Sequence, residues 1–177
     1  LDGALVPIAQ AYFDPPQRQI VIADARAFTA SDHNLYDLII LDTYTRELSV
    51  PFHLTTIEFF TSLKNRLADG GLLAINANSL SRDSLWMKSL ARTLTAVFPR
   101  VRVAEVPHSC NHLLLAAASI RQQSTPPVPP LISPLLPPLL AAAPPSPGGI
   151  LLTDDHAPAD ALGLLALLTS EDKSSCD

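Results

Sequence analysis

Positive charge is scarce and scattered in this chain. Its 12 Lys and Arg residues never form a run of three and are outnumbered by 17 Asp and Glu, for a formal charge of −5. A general nucleic-acid surface needs a basic stripe, so that class of partner is excluded. Cysteine is limited to Cys110 and Cys176, too few for a disulfide framework and wrongly spaced for zinc. Of the five histidines, His33, His53, His108, His112 and His156, only His108 and His112 stand four apart, and no acid adjoins either, so no metal site is expected. No apolar span reaches the roughly 18 residues of a membrane helix. A Gly-x-Ser-x-Gly elbow for serine hydrolysis is also missing. Leu1-Asp2-Gly3 carries neither an initiator methionine nor a signal pattern, and reads as an interior point of a longer sequence. A chain of 177 residues is enough for one ordinary domain with its own core, and a cytoplasmic location is expected for it.

What is abundant is proline. Ten of the 17 prolines fall between Pro126 and Pro147. Proline lacks the donor that helices and sheet ladders need, so this tract is expected to be irregular. Its Pro-x-x-Pro spacings have no basic residue where an aromatic-groove ligand would place one, which favours a spacer. The tract divides the chain into residues 1–122, an insertion at 123–149 and a tail at 150–177.

Residues 1–118 alternate between helical and strand patterns. Gly3 to Phe13 predicts a helix with Leu5, Ile8, Ala9 and Tyr12 on one face, ended by Pro15-Pro16. Gln19 to Ala23 predicts a short buried strand ending on Asp24, followed by a helical turn from Ala25 to Ala30. Leu38 to Leu41 predicts the next strand, ending on Asp42. His53 to Leu67 predicts a helix with a stripe at Leu54, Ile57, Phe60, Leu63 and Leu67, its start capped by Thr55 or Thr56 and Glu58. Gly70-Gly71 would stop that helix and open a strand from Leu72 to Ala77. Ser81-Arg82-Asp83 opens a helix through Phe98. Val101 to Val106 and Leu113 to Ala118 pair as an antiparallel hairpin.

Near-continuous aliphatic strands alternating with helices imply a doubly wound α/β sheet, covered on both faces as a three-layer sandwich. A terminal antiparallel strand pair is the ending found in S-adenosylmethionine-dependent methyltransferase folds. In open α/β sheets, ligands bind outside the carboxyl ends of the strands, which makes Asp42 the first candidate for chemistry.

Four blocks carry a resemblance to a known family. They are Asp24-Ala25-Arg26-Ala27-Phe28, the run from Tyr36 to Asp42, Val50-Pro51-Phe52-His53-Leu54-Thr55-Thr56-Ile57-Glu58-Phe59-Phe60, and Leu152-Thr153-Asp154-Asp155-His156-Ala157-Pro158-Ala159-Asp160. In this order they resemble the spermidine/spermine synthase family, and more narrowly its bacterial synthase-like branch. The similarity covers roughly residues 1–118 and 151–162, and the proline tract has no counterpart in it.

The resemblance implies aminopropyl transfer from decarboxylated S-adenosylmethionine, or a related S-adenosylmethionine reaction, to a polyamine or other small acceptor. It implies no metal, no nucleic acid and no membrane partner for this segment, and a possible homodimer of the full-length protein. Asp24, with Ala25, corresponds to the cofactor-binding carboxylate that holds the adenine amino group. An N-cap is the structural alternative for Asp24. Asp42 corresponds to the catalytic carboxylate that binds the attacking amine and takes its proton. Tyr44 and His53 fall at the rim of the substrate site, with helix capping the alternative for His53. Asp154 and Asp155 either line a cation-attracting entrance or form an exposed turn.

Three departures separate the chain from the family pattern. A second acid expected three positions after Asp42 is replaced by Thr45, and Arg46 follows it. The first strand and the glycine-rich loop for the cofactor tail are absent, and nothing Gly-rich replaces them. The segment therefore reads as the C-terminal two-thirds of a catalytic domain. Methyl transfer to a small acceptor and non-catalytic binding stand as the alternative functions.

Overall fold

A computed structural model of the chain describes residues 3–13, 20–44, 50–119 and 141–168. Thr45, Arg46 and most of the proline tract lie outside these residues, as do Gln19 and Cys176. The chain divides into two compact units, Leu1–His33 and Asn34–Asp177.

The first unit holds two helices, α1 (Leu5–Phe13) and α2 (Ala25–Ser31). No residue of α1 is buried, so the predicted apolar face of Leu5, Ile8 and Tyr12 is open. The strand expected before Asp24 is not formed. Ile20, Val21 and Ile22 are 41, 45 and 59% exposed, and no described strand pairs with them. A strand is held by the ladder to a neighbour, and no described strand offers this run one. Asp24 caps α2, its Oδ1 accepting from the amides of Arg26 at 2.9 Å and Ala27 at 3.0 Å.

The second unit is built on four strands, β1 (Tyr36–Leu41), β2 (Leu67–Asn78), β3 (Arg100–Glu105) and β4 (Asn111–Ala117), in the order β1-β2-β4-β3. β1 and β2 are parallel, β3 and β4 pair antiparallel as the terminal hairpin required, and β2 and β4 also pair antiparallel. Helices α3 (Ile57–Lys64) and α4 (Leu85–Val97) pack against one face of the sheet. Phe59, Phe60 and Leu63 of α3 and Trp86, Met87, Leu90 and Leu94 of α4 meet Leu73, Ile75 and Leu114 of the sheet, all buried. Each such side chain contributes about 1.5–3 kcal/mol through burial. Along β1 the alternation leaves Leu38 and Ile40 exposed on the opposite face.

The helix read as His53 to Leu67 is two shorter pieces. A 3-10 turn spans Phe52–Leu54, and α3 begins only at Ile57. Threonine hydroxyls make this break by offering the backbone a local alternative to the helix. Thr55 Oγ1 donates to the Phe52 carbonyl at 2.7 Å, while extended Thr56 caps α3 by accepting from the Phe59 amide at 3.3 Å. Leu67 belongs to β2. Gly70-Gly71 also lies inside β2 rather than ahead of it, where the β1–β2 register shifts between Tyr36 and Leu38. Gly70 has φ 75°, and a Cβ on Gly71 would stand 2.9 Å from the carbonyl oxygens of Ala68 and Tyr36. Only glycine fits that bulge. α4 starts later than Ser81, with Ser84 as its cap accepting from the Met87 amide.

Residues 141–153 form a strap across α4. Ala143 exchanges two backbone hydrogen bonds with Val103 of β3. Ser89 and Thr93, both fully buried on α4, donate to the carbonyls four residues earlier and accept from the strap amides of Ile150 at 2.9 Å and Leu152 at 3.0 Å. One helical turn rises about 5.4 Å. Two extended residues span about 6.6 Å, so hydroxyls at i and i+4 match amides at i and i+2. Gly149, at φ 85°, lies against the backbone of Lys88 and Ser89, where any side chain would collide. The final helix, α5 (Ala159–Leu168), follows.

Candidate active site

The parallel pairing of β1 and β2 delivers both carboxyl ends to one edge, with Leu41 opposite Ile75 as the last pair. Asp42 leaves β1 beside Asn76. The Asn76 Nδ2 donates to Asp42 Oδ1 at 3.1 Å and orients that carboxylate. The Tyr44 hydroxyl donates to the Asn76 backbone carbonyl at 2.9 Å. Burial pushes the Tyr44 phenol up to about 12, with the negative charge of Asp42 adding to the effect and the Asn78 backbone opposing it. The phenol is therefore a fixed donor at neutral pH.

Two polar atoms here are buried without a hydrogen-bond partner, Thr43 Oγ1 and Asn76 Oδ1. Leaving such a group unsatisfied costs about 1–3 kcal/mol. Buried polar groups are almost always paired, so both atoms stand out beside the exposed carboxylate of Asp42. Asn76 was missed in the sequence. It lies inside β2, two residues before the strand ends, where no motif singles it out.

The start of α3 lies at the same edge, because its C-terminus must return to the amino end of β2. His53 sits there in the 3-10 turn, edge-on to Phe52 with ring centroids 5.5 Å apart. The Thr153–His156 turn docks against that start. Ile57 donates its amide to the Leu152 carbonyl at 2.9 Å, and Asp154 donates its amide to Glu58 Oε2 at 3.0 Å. Asp154 and Asp155 are both exposed. Asp24 and Ala25 belong to the first unit. Asp24 acts there as the cap of α2. Hydrogen bonds thus join Asp42, Tyr44 and Asn76, while His53 and the Asp154 turn share their edge through α3. Cys110 is half-buried in the turn between β3 and β4 and is not free.

A family model described as "Spermine/spermidine synthase domain" matches residues 4–117. The chain belongs to this family. A probable polyamine aminopropyl transferase of Bifidobacterium longum is 32% identical over 120 residues, covering 66% of this chain and 27% of that protein. A spermidine synthase of Thermotoga maritima superposes with a TM-score of 0.55 at 27% identity, covering 68% of this chain and 44% of that one. A probable spermidine synthase of Corynebacterium glutamicum shares the fold at a TM-score of 0.60 and 23% identity, over 92% of this chain and 57% of that one. The chain spans about a quarter of the length of the Bifidobacterium relative. Its sheet is therefore the spermidine-synthase version of the methyltransferase fold, with β3 and β4 as the closing strand pair. Among the described residues, no helix is long and apolar enough to cross a membrane.

Proposed function

We propose that the protein to which this chain belongs transfers an aminopropyl group from decarboxylated S-adenosylmethionine to a polyamine. The supporting observation is Asp42, held by Asn76 at the carboxyl end of β1 beside two orphaned polar atoms. An ammonium has no lone pair with which to attack. Asp42 binds it as a cation and accepts one proton. The freed amine nitrogen then forms a bond to the aminopropyl carbon beside the sulfonium. The carbon–sulfur bond breaks, its electron pair neutralises the sulfonium, and methylthioadenosine leaves.

Tyr44 and His53 form the rim. Asp154 and Asp155 add negative charge on the approach of a cationic substrate. Asp24, with Ala25, holds the adenine of the co-substrate.

The test is methylthioadenosine release by the intact protein, given decarboxylated S-adenosylmethionine and a diamine. Release that depends on the amine, and that Asp42→Asn reduces, supports the assignment. Release with no amine dependence, or none with any di- or polyamine, overturns it.

A further inference from the structure

A polar cavity opens at the same sheet edge but behind the sheet from Asp42. It encloses about 380 Å³ between the turn leading into α4 and the β3–β4 turn, with Arg82, Glu105, His108 and His112 among its walls. On β2, Asn76 pairs with Leu113 and Ala77 with His112. Successive strand residues point to opposite faces, so His112 projects away from the Asn76 side chain, toward α4.

Three groups give this cavity a definite chemistry. His112 is 5% exposed. Its Nδ1 lies 3.2 Å from the Cys110 carbonyl oxygen. A carbonyl only accepts, so Nδ1 carries the proton of the neutral ring and Nε2 is left as an acceptor. Burial lowers the His112 pKa, which keeps the ring neutral at pH 7. Arg82 Nη1 and Glu105 Oε1 stand 3.8 Å apart, an ion pair too open for a hydrogen bond. The guanidinium is held in place from behind by the Pro144 carbonyl, which accepts from Nη2 at 3.1 Å. Glu105 is 60% exposed at its side chain and reachable from solvent.

An open pair of opposite charges, with an acceptor nitrogen nearby, matches a ligand that carries both charges itself. In an α-amino acid the ammonium nitrogen and a carboxylate oxygen are about 2.7 Å apart, a normal hydrogen-bond separation. Such a head group can close a ring with the two protein charges, its carboxylate on Arg82 and its ammonium on Glu105, with a second ammonium proton on His112 Nε2. A simple amine would leave Arg82 facing its cation, and a simple anion would face Glu105. We propose that this cavity is a second ligand site that binds the zwitterionic head of a free α-amino acid.

The test is a titration of the intact protein with each common free amino acid, following the His112 ring by NMR. Ethylammonium and acetate serve as the single-charge controls. At least one amino acid should bind with a Kd of about 1 mM or tighter and move the His112 signals. Both controls should bind at least about tenfold more weakly. Glu105→Gln, at an exposed position, should weaken the amino acid at least about tenfold with folding unchanged by circular dichroism. Asp42→Asn should leave the binding untouched, so failure of the transfer assignment and failure of this site are separate results. The proposal is overturned by no His112 response to any amino acid, by equal binding of ethylammonium or acetate, or by indifference to Glu105→Gln.

Discussion

Two aliphatic runs in this chain each end on an aspartate, Ile20–Ala23 before Asp24 and Leu38–Leu41 before Asp42, and they have opposite fates. The second becomes part of β1 because β2 lies alongside it, pairing Leu38 with Leu72 through Leu41 with Ile75. The first forms no strand among the described residues, and its side chains face solvent. The two carboxylates diverge in the same way. Asp24 is followed by Ala-Arg-Ala, good helix formers, and becomes a cap. Asp42 is followed by Thr43 and Tyr44, which are not helical, and its carboxylate takes a side-chain partner instead. Composition offers both runs the same structure, and neighbours decide which one takes it.

The sharpest way to break this comparison is to shorten both runs alike. Leu41, 5% exposed, should lose about 2–5 kcal/mol on Leu41→Ala. Ile22→Ala should stay within about 0.5 kcal/mol. Chemical denaturation of the intact protein measures both, and equal losses would mean that the first run is packed as tightly as the second. Next comes chemistry. Asp42→Asn keeps the shape but cannot accept a proton, so turnover should fall by about 10² or more with folding intact. An unchanged rate removes Asp42 as the base.

A pH titration probes the buried histidine. The folded pKa of His112 lies below its ordinary 6.5. On acidification the unfolded chain therefore takes up a proton before the folded one does. The stability linked to this group is complete above pH 6.5 and is lost as pH falls from there through the folded value. Urea midpoints should decline over that window, and His112→Asn should flatten the decline. A profile that His112→Asn leaves unchanged would show that other groups cause it. The smallest effect belongs to the other aspartate. Asp24→Ala removes a cap and should cost about 1 kcal/mol. A loss of co-substrate affinity together with that cost would show that Asp24 serves both the helix and the adenine, whereas no loss of affinity would leave it a cap alone.

Much of the sheet was legible in advance because buried strands write themselves as aliphatic runs. β1, the later part of β2 and the β3–β4 hairpin fall where Leu38–Leu41, Leu72–Ala77, Val101–Val106 and Leu113–Ala118 placed them. The elements that escaped were decided by one or two atoms. The Thr55 and Thr56 hydroxyls split a continuous helical pattern, and the pattern itself carries no trace of that choice. Gly70-Gly71 read as a stop because glycine ends helices as readily as it makes bulges, and the deciding contact, the Tyr36 carbonyl, is distant in sequence. At the candidate site, Asp42 could be named from the strand end, and Tyr44 only from the family resemblance. Asn76 could not, because its value depends on a hydrogen bond across 34 positions.

The clasp between the strap and α4 has a consequence for how this lineage can vary. By anchoring Ile150 and Leu152 on Ser89 and Thr93, contacts that span 61 and 59 positions, the fold fixes where the chain must return after β4. The closure entropy of the intervening segment grows only with the logarithm of its length, so doubling it costs about 0.6 kcal/mol. Sequence can be gained or lost between β4 and the strap almost freely, while the Thr153–His156 turn keeps its seat at the start of α3. A clasp of two hydroxyls makes the proline tract a tolerated lodger.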